Sequence, residues 1–406
     1  MVGTTLLRNY KLYLCLIFLL SLMIRIYLCM ITKGYVEDHQ FFIQWADALR
    51  NYSVGKSYLS VDNMNYPPLF IFFLNIYIFF TDWFGLSLVK GGFWVRVPSL
   101  LLDAGMLIVF LLLTKKVQPV QRVVVFAFLS LNPVLVLAGP IWGQIDSLHS
   151  TLIVLVLFHM KRPSVAGLFF ALALLTKFQS IMILPVIGFF YLWEIIRTRS
   201  LRNTLVFILG FCLPIAGTII YFLLSGSLFA MIQQAYGSAV GLYPYASLHA
   251  FNIWHYVFGT HPWSMDSTEI LYGVTMKNLG FILLFISFCI IGFLMWRQEK
   301  RDNNHMLYFG ATAVFSFFML ATQMHERYFI PALVCLCFAA AFELRILILA
   351  SVLTVTGFFN ISLVLNQNVS QANSEWVAYI NVFLFLAMLW GGTNTKLFLK
   401  AKTMKN

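Results

Sequence analysis

The sequence predicts an all-α polytopic membrane protein. Three observations predict it: 61% of the residues are hydrophobic, only 10% are charged, and long apolar runs recur from residue 12 to residue 393. A water-soluble globule carries about a quarter charged residues, so that class is excluded. The formal charge of +12 raises the question of nucleic acid. Its distribution answers it, because the basic residues gather in short loops between apolar runs, which is the positive-inside pattern.

The first run, residues 12–32, is long enough to span a bilayer. It carries Arg25 and lacks a small-residue cleavage site, so it reads as a retained anchor and not as a signal peptide. With the amino terminus inside, the inner side collects Arg8, Lys11, Lys115, Lys116, Arg122, Lys161, Arg162, Arg197, Arg199, Arg202, Arg297, Lys300, Arg301, Arg345, Lys396, Lys400, Lys402 and Lys405. These are 18 of the chain's 27 Lys and Arg. The register works only if residues 67–85 do not cross, since a crossing there would put nearly all these clusters outside. That stretch is therefore expected to be a partly embedded outer element.

The crossings then fall at 12–32, 94–114, 123–140, 147–160, 164–177, 180–196, 204–224, 278–296, 305–323, 328–342, 346–365 and 376–393, about twelve helices with both termini cytoplasmic. Several are shorter than the roughly 20 residues of a full span, so tilt, extension into the flanks or local thinning must accommodate them. Residues 1–406 read as a single integral-membrane domain. Its landmarks are a first outer loop over 33–93, a long outer loop over 225–277 and carboxyl-terminal helices over 328–406. Six cysteines (Cys15, Cys29, Cys212, Cys289, Cys335 and Cys337) all lie in apolar segments and behave as small hydrophobes. They suggest neither a disulfide framework nor a metal site.

This topology gathers the unusual polar segments on the outer face. Glu37, Asp38 and His39 follow directly on the first span. The segment after Asp38 fits a helix with Phe41, Phe42, Trp45 and Leu49 on one side and Gln40, Gln44 and Asp47 on the other, lying flat on the membrane. Such a helix holds Asp38 where a lipid-linked phosphate meets water, a depth that suits a carboxylate accepting a proton from a hydroxyl. The competing reading makes Asp38 a helix cap. Lys177, Arg96 and Arg327 are assigned to outer helix ends, where they suit phosphate oxygens. Against this stands snorkelling for Lys177 and Arg327, and for Arg96 an internal pair with Asp103 at i and i+7. His325 and Glu326 are adjacent and point about 100° apart on a helix, a poor metal pair.

Taken in order, Asp38, Asn65-Tyr66-Pro67-Pro68-Leu69, Arg96-Val97-Pro98-Ser99, Trp142-Gly143-Gln144-Ile145-Asp146-Ser147, Thr176-Lys177-Phe178-Gln179 and Met324-His325-Glu326-Arg327-Tyr328 resemble the GT-C superfamily of integral-membrane glycosyltransferases. The resemblance is strongest to bacterial relatives of the GPI-anchor mannosyltransferases. It reaches the dolichyl-phosphate-glucose glucosyltransferases more weakly. It spans residues 10 to 330, and it rests on the order and outer placement of the segments, since no one motif is specific.

The resemblance implies a GT-C-like bundle with extracytoplasmic amphipathic helices in the first outer loop. It implies transfer of a hexose, mannose or glucose, from a polyprenyl-phosphate donor to an acceptor hydroxyl, with inversion and without metal or other cofactor. Asp38 would be the base. Lys177, Arg327, His325 and Arg96 would bind the donor phosphate, and Glu37, His39, Tyr66, Gln144, Asp146, Gln179 and Glu326 the sugar or acceptor. For Asp146 the competing reading is an N-cap on the next span. In the same superfamily the segment matching Ser247-Leu248-His249-Ala250-Phe251-Asn252-Ile253-Trp254 lies near the lipid-donor entrance; an interfacial aromatic belt is the competing reading.

The chain is short for a soluble acceptor-binding domain, which favours a lipid-linked glycan acceptor. The expected partners are thus this donor, that acceptor and membrane lipids, with no nucleic acid. The setting favoured is a bacterial plasma membrane with surface polysaccharide assembly on its outer face. A secondary transporter or flippase stays open, although no two-half repeat is visible, and so does a non-catalytic assembly partner. Asn51-Tyr52-Ser53 and Asn368-Val369-Ser370 are glycosylation sequons that occur often by chance.

Overall fold

The computed structural model describes residues 2–237, 241–298, 301–366 and 370–393. Its helices are α1 (Val2–Ile31), α2 (Val36–Asn51), α3 (Val54–Ser60), α4 (Pro68–Trp83), α5 (Val97–Leu113), α6 (Pro119–Ser130), α7 (Pro133–Val136), α8 (Asp146–Phe158) and α9 (Pro163–Leu174). There follow α10 (Leu184–Thr198), α11 (Arg202–Leu224), α12 (Leu228–Ala235), α13 (Met276–Arg297), α14 (Asn303–Leu320), α15 (Ile330–Ala340), α16 (Leu347–Leu365) and α17 (Gln371–Thr393). Proline in the first turn starts α4, α5, α6, α7, α9, α10 and α15. There its missing N–H leaves no bond unmade and its fixed φ suits the helix.

Among the described residues, eight helices are long and apolar enough to cross a membrane: Asn9–Ile31, Trp94–Leu113, Pro119–Ile141, Phe178–Thr198, Arg202–Leu224, Met276–Arg297, Leu344–Leu365 and Gln371–Gly392. The chain is thus an all-α protein with the helices of an integral membrane protein. The other four expected crossings fall on α8, α9, α14 and α15. Of these, α8, α9 and α15 have 13, 12 and 11 residues, roughly 16–20 Å at the helical rise, against a hydrocarbon core of about 30 Å. Their neighbours are protein: α8, α14 and α15 pack on one another, and every residue of α15 is buried. Residues 67–85 contain α4. Lys300, Lys396, Lys400, Lys402 and Lys405, and Asn368 and Val369 of the second sequon, lie outside the described residues.

Three expectations are corrected. The apolar side of α2 does not present all four aromatic and aliphatic residues to one surface: Phe42, Trp45 and Leu49 are buried in a protein cluster with Phe70 and Leu74 of α4, while Phe41 is exposed. The segment from α2 to α4 is thereby docked on the bundle. It is also tied to α11, where the Gly55 N–H donates to the Tyr221 hydroxyl at 3.2 Å.

Residues 247–254 are not a surface belt. The short strands β1 (Ser247–Leu248) and β4 (Met324–His325) pair in parallel, apart from a small hairpin of β2 (Glu269–Leu271) and β3 (Val274–Thr275). The residues after β1 plug into the helices: Asn252 Nδ2 donates to the Phe318 carbonyl and Trp254 Nε1 to that of Leu320, each at 2.9 Å. Asn360 of α16 and Asn381 of α17 donate to the carbonyls of His249 and Phe251. Buried carbonyls with no water to meet take side-chain amides as partners.

Asp103 is paired with Arg25 and not with Arg96. Arg25 Nε lies 2.9 Å from Asp103 Oδ2, both side chains are almost wholly buried, and Arg25 Nη1 also reaches the Ser130 carbonyl. An i, i+7 spacing within one helix carries no information about a cation arriving from α1. Removing one member strands the other in low dielectric, at a cost of about 3–5 kcal/mol, whereas apolar replacement of both is close to neutral. Thermal unfolding in detergent should therefore show Arg25→Leu and Asp103→Leu each strongly destabilised and the double substitution largely restored. Equal losses in all three would contradict the pairing.

Candidate functional site

The site is assembled from five segments at one end of the bundle, and its scaffold is irregular backbone. After α7 the chain passes through a π turn, Leu137–Ile141, that contains Pro140. It then unwinds through Gly143, whose φ of +94° is accessible to glycine, and re-enters a helix at Asp146. Gly34, at φ +65°, makes the turn from α1 into α2; a Cβ there would sit 2.3 Å from the Ile141 carbonyl oxygen.

Arg96 ties the end of α1, the turn before α5 and the π turn together. It is 1% exposed, and its guanidinium donates to the carbonyls of Cys29 (2.5 Å), Thr32 (2.7 Å), Gly92 (3.1 Å), Gly91 (3.3 Å) and Pro140 (3.4 Å) and to the Thr32 hydroxyl (2.9 Å). It is a structural clamp with its donors spent on backbone, which corrects its assignment to phosphate. His39 is likewise internal and not a sugar ligand: it is fully buried, Nε2 lies 3.0 Å from the Trp142 carbonyl, and Nδ1 accepts from the Gly91 N–H at 3.2 Å. Burial pushes its pKa down, favouring the neutral ring that this pair of bonds requires. Glu37, one residue before Asp38, is exposed.

Asp38 does not cap its helix. Tyr35 occupies that position without a side-chain bond, and Asp38 stands in the first turn of α2, where the macrodipole favours a carboxylate. Its Oδ2 accepts two bonds, from Trp142 Nε1 at 2.8 Å and from Gln144 Nε2 at 2.6 Å. The Tyr66 hydroxyl donates to Gln144 Oε1 at 3.0 Å, which fixes the amide so that its NH₂ faces Asp38. Tyr66 is in turn braced by Trp45 and Phe70, with ring centroids at 5.2 and 5.3 Å. Tyr66 and Gln144, expected to touch sugar, thus form a hydrogen-bond chain that ends on the carboxylate. Asp38 Oδ1 has no hydrogen bond among the described residues.

Beside Asp38 lie two cations. Lys177 Nζ donates to Asp146 Oδ1 at 2.6 Å and sits 5.5 Å from the centre of the Tyr66 ring. Arg327 Nη1 donates to Glu326 Oε1 at 2.5 Å, its Nε is 3.8 Å from Asp146 Oδ2, and its guanidinium lies 5.2 Å over the Trp142 ring. Asp146 is not an N-cap; Ile145 holds that place, and the carboxylate faces the cations. His325 Nδ1 is 3.7 Å from Glu326 Oε2, and Gln179 Nε2 donates to the Tyr328 hydroxyl at 2.8 Å. Asp38 is within electrostatic reach of both Lys177 and Arg327.

Sequence reasoning gave Trp142 and Tyr328 no role, although both stood in the motifs. The signal was an indole N–H in a segment too irregular to bury it unpaired. Chemically, the arrangement sets a carboxylate with one oxygen free of hydrogen bonds among the described residues beside two cations already paired with Asp146 and Glu326.

No protein-family model matches the chain, and no curated protein matches it.

Burial alone would raise the Glu326 carboxyl, but Arg327 and His325 outweigh it and hold its pKa at about 2. A folded value below the unfolded one, near 4.5, contributes stability that is complete above the unfolded pKa and is lost as pH falls through the folded value. Glu326→Gln should accordingly be less stable than the native protein at neutral pH, with the gap in melting temperature closing between about pH 4.5 and pH 2. A gap independent of pH over that range would refute the assignment.

Proposed function

We propose that the chain is a polyprenyl-phosphate-sugar-dependent hexosyltransferase of the GT-C type, acting on the extracytoplasmic face of a bacterial plasma membrane. In this reading about twelve helices cross, α4 stays on the outer side, and both termini are cytoplasmic. The observation that carries the reading is Asp38, whose Oδ2 is held by two N–H donors and whose Oδ1 is unbonded, standing beside Lys177 and Arg327.

The acceptor hydroxyl gives its proton to Asp38 as its oxygen bonds to the anomeric carbon. The bond from that carbon to the phosphate oxygen breaks, the electron pair leaves on the lipid phosphate, and the configuration inverts. Lys177 and Arg327 offset the charge growing on the leaving phosphate, with His325 at the rim. In the structure Asp146 and Glu326 occupy these cations. They act as stand-in anions that the donor phosphate partly displaces, so both cations remain compensated before the donor arrives. The acceptor favoured is a lipid-linked glycan.

The alternative is a secondary transporter or flippase for an anionic or lipid-linked substrate, favoured by the Arg25–Asp103 pair inside the bundle. Transfer by purified protein in nanodiscs, with polyprenyl-phosphate-mannose or polyprenyl-phosphate-glucose and lipid acceptors, separates the two. Asp38→Asn should lower turnover by about 10²–10⁴-fold with donor binding retained, Lys177→Met should weaken donor binding, and a chelator should leave transfer unchanged. Undiminished transfer by Asp38→Asn would refute the base; absence of transfer from either donor, with substrate flux in liposomes, would favour the transporter.

A further inference from the structure

A second polar site lies at the far end of two helices that reach the first one. Asp146 opens α8 and Phe158 closes it, so the two ends are roughly 20 Å apart. Similarly, α14 runs from Asn303 to Leu320, shortly before Glu326 and Arg327. Where α8 ends and α14 begins there is a cavity of about 230 Å³ lined by Phe158, His159, Lys161, Arg162 and Asn303.

Among the described residues its lining carries two cations and no carboxylate. Lys161 and Arg162 are exposed, and Asp302 lies 3.5 Å from Lys161 Nζ. Asp302 holds the N-cap position of α14 but makes no side-chain capping bond, so the first N–H groups of an 18-residue helix lack that partner. Arg301, next to Asp302 in the chain but outside the cavity's lining, is 6% exposed; Nη2 donates to the Met295 carbonyl at 2.7 Å, and Nε and Nη1 have no hydrogen-bond partner among the described residues. Its guanidinium stacks 3.4 Å over Trp193, whose ring Arg197 also approaches at 5.0 Å. Burial, with the nearby charge of Arg197, pushes Arg301 down to about 10. Both Arg301 and Lys161 act electrostatically on the buried His305 of α14.

Two exposed cations, a helix N-terminus without a side-chain cap and an open cavity share one remedy, an anion with several acceptor oxygens. We propose that this cavity binds a phosphate group, carried either by an anionic lipid headgroup or by a soluble phosphate anion. A basic pocket between helix ends at the membrane surface suits the first source. The cavity is wide enough for the second. The proposal stands independently of the chemistry assigned to Asp38.

The test follows the melting temperature of the full-length protein in neutral detergent. Inorganic phosphate, phosphatidylglycerol or phosphatidylcholine is titrated in at constant ionic strength. Phosphate or phosphatidylglycerol should raise it saturably, and phosphatidylcholine should not. A response to phosphate assigns a soluble anion, and a response to phosphatidylglycerol alone assigns the headgroup. Lys161→Gln with Arg162→Gln should move the titration midpoint upward at least about tenfold, while Lys161→Arg with Arg162→Lys, and the distant Lys56→Gln, should leave it in place. If the double substitution does not fold, each single one carries the test with a severalfold shift. No saturable response to either probe, an unmoved midpoint in the glutamine variants, or an equal shift in Lys56→Gln would overturn the proposal.

Discussion

The site depends on how irregular backbone is satisfied where water is scarce. The end of α1, the turn before α5 and the π turn at Leu137–Ile141 all present carbonyls that no helix or sheet pairs. Arg96 answers all three with one guanidinium, bonding Cys29 and Thr32, Gly91 and Gly92, and Pro140. Five N–H donors in a planar fork are suited to such a junction, and a lysine's compact ammonium is not. Because Gly34 brings backbone too close for a Cβ, and Gly143 packs against the Arg96 and His39 side chains, the junction is tight as well as bonded. Asp38 inherits its position from that junction, through the start of α2 on one side and Trp142 and Gln144 on the other.

The same economy governs charge. Three sets of buried ions are partnered by opposite charge, Arg25 with Asp103, Lys177 with Asp146, and Arg327 with Glu326, whereas Arg96 is met by carbonyls. Desolvation makes a lone ion expensive at these depths, and the pairing makes the cations tolerable without making them inert. Lys177 and Arg327 keep their charge close to a carboxylate whose second oxygen is unbonded. That combination, a fixed acceptor beside compensated cations, is what a proton-removing transfer onto an anionic leaving group would use.

Much of the fold was legible because apolar runs of helical length can be little else in a chain this poor in charge. Each expected crossing falls on a helix. What failed was partner choice. Arg96 was assigned to phosphate, with a pair to Asp103 as the competing reading, yet the cation for Asp103 comes from α1 and Arg96 faces carbonyls. His39 stood among acidic residues and turned out to be a brace under Trp142. The aromatic run at Ser247–Trp254 read as a belt, since composition cannot distinguish a ring meeting lipid from one buried on α14. The candidate site was legible in outline: Asp38, Gln144, Asp146, Lys177 and Arg327 do converge. Their hydrogen-bond order was not, because Tyr66, Gln144 and Trp142 are brought together by packing across the loop, and each is ambiguous by itself.

The most direct measurement is a structure of the protein in nanodiscs with a polyprenyl-phosphate sugar bound. The account predicts the donor phosphate against Lys177 and Arg327, with the anomeric carbon turned toward a cleft that Asp38 Oδ1 faces. A donor bound elsewhere in the bundle, or a phosphate held away from both cations with Asp38 facing lipid, would contradict it.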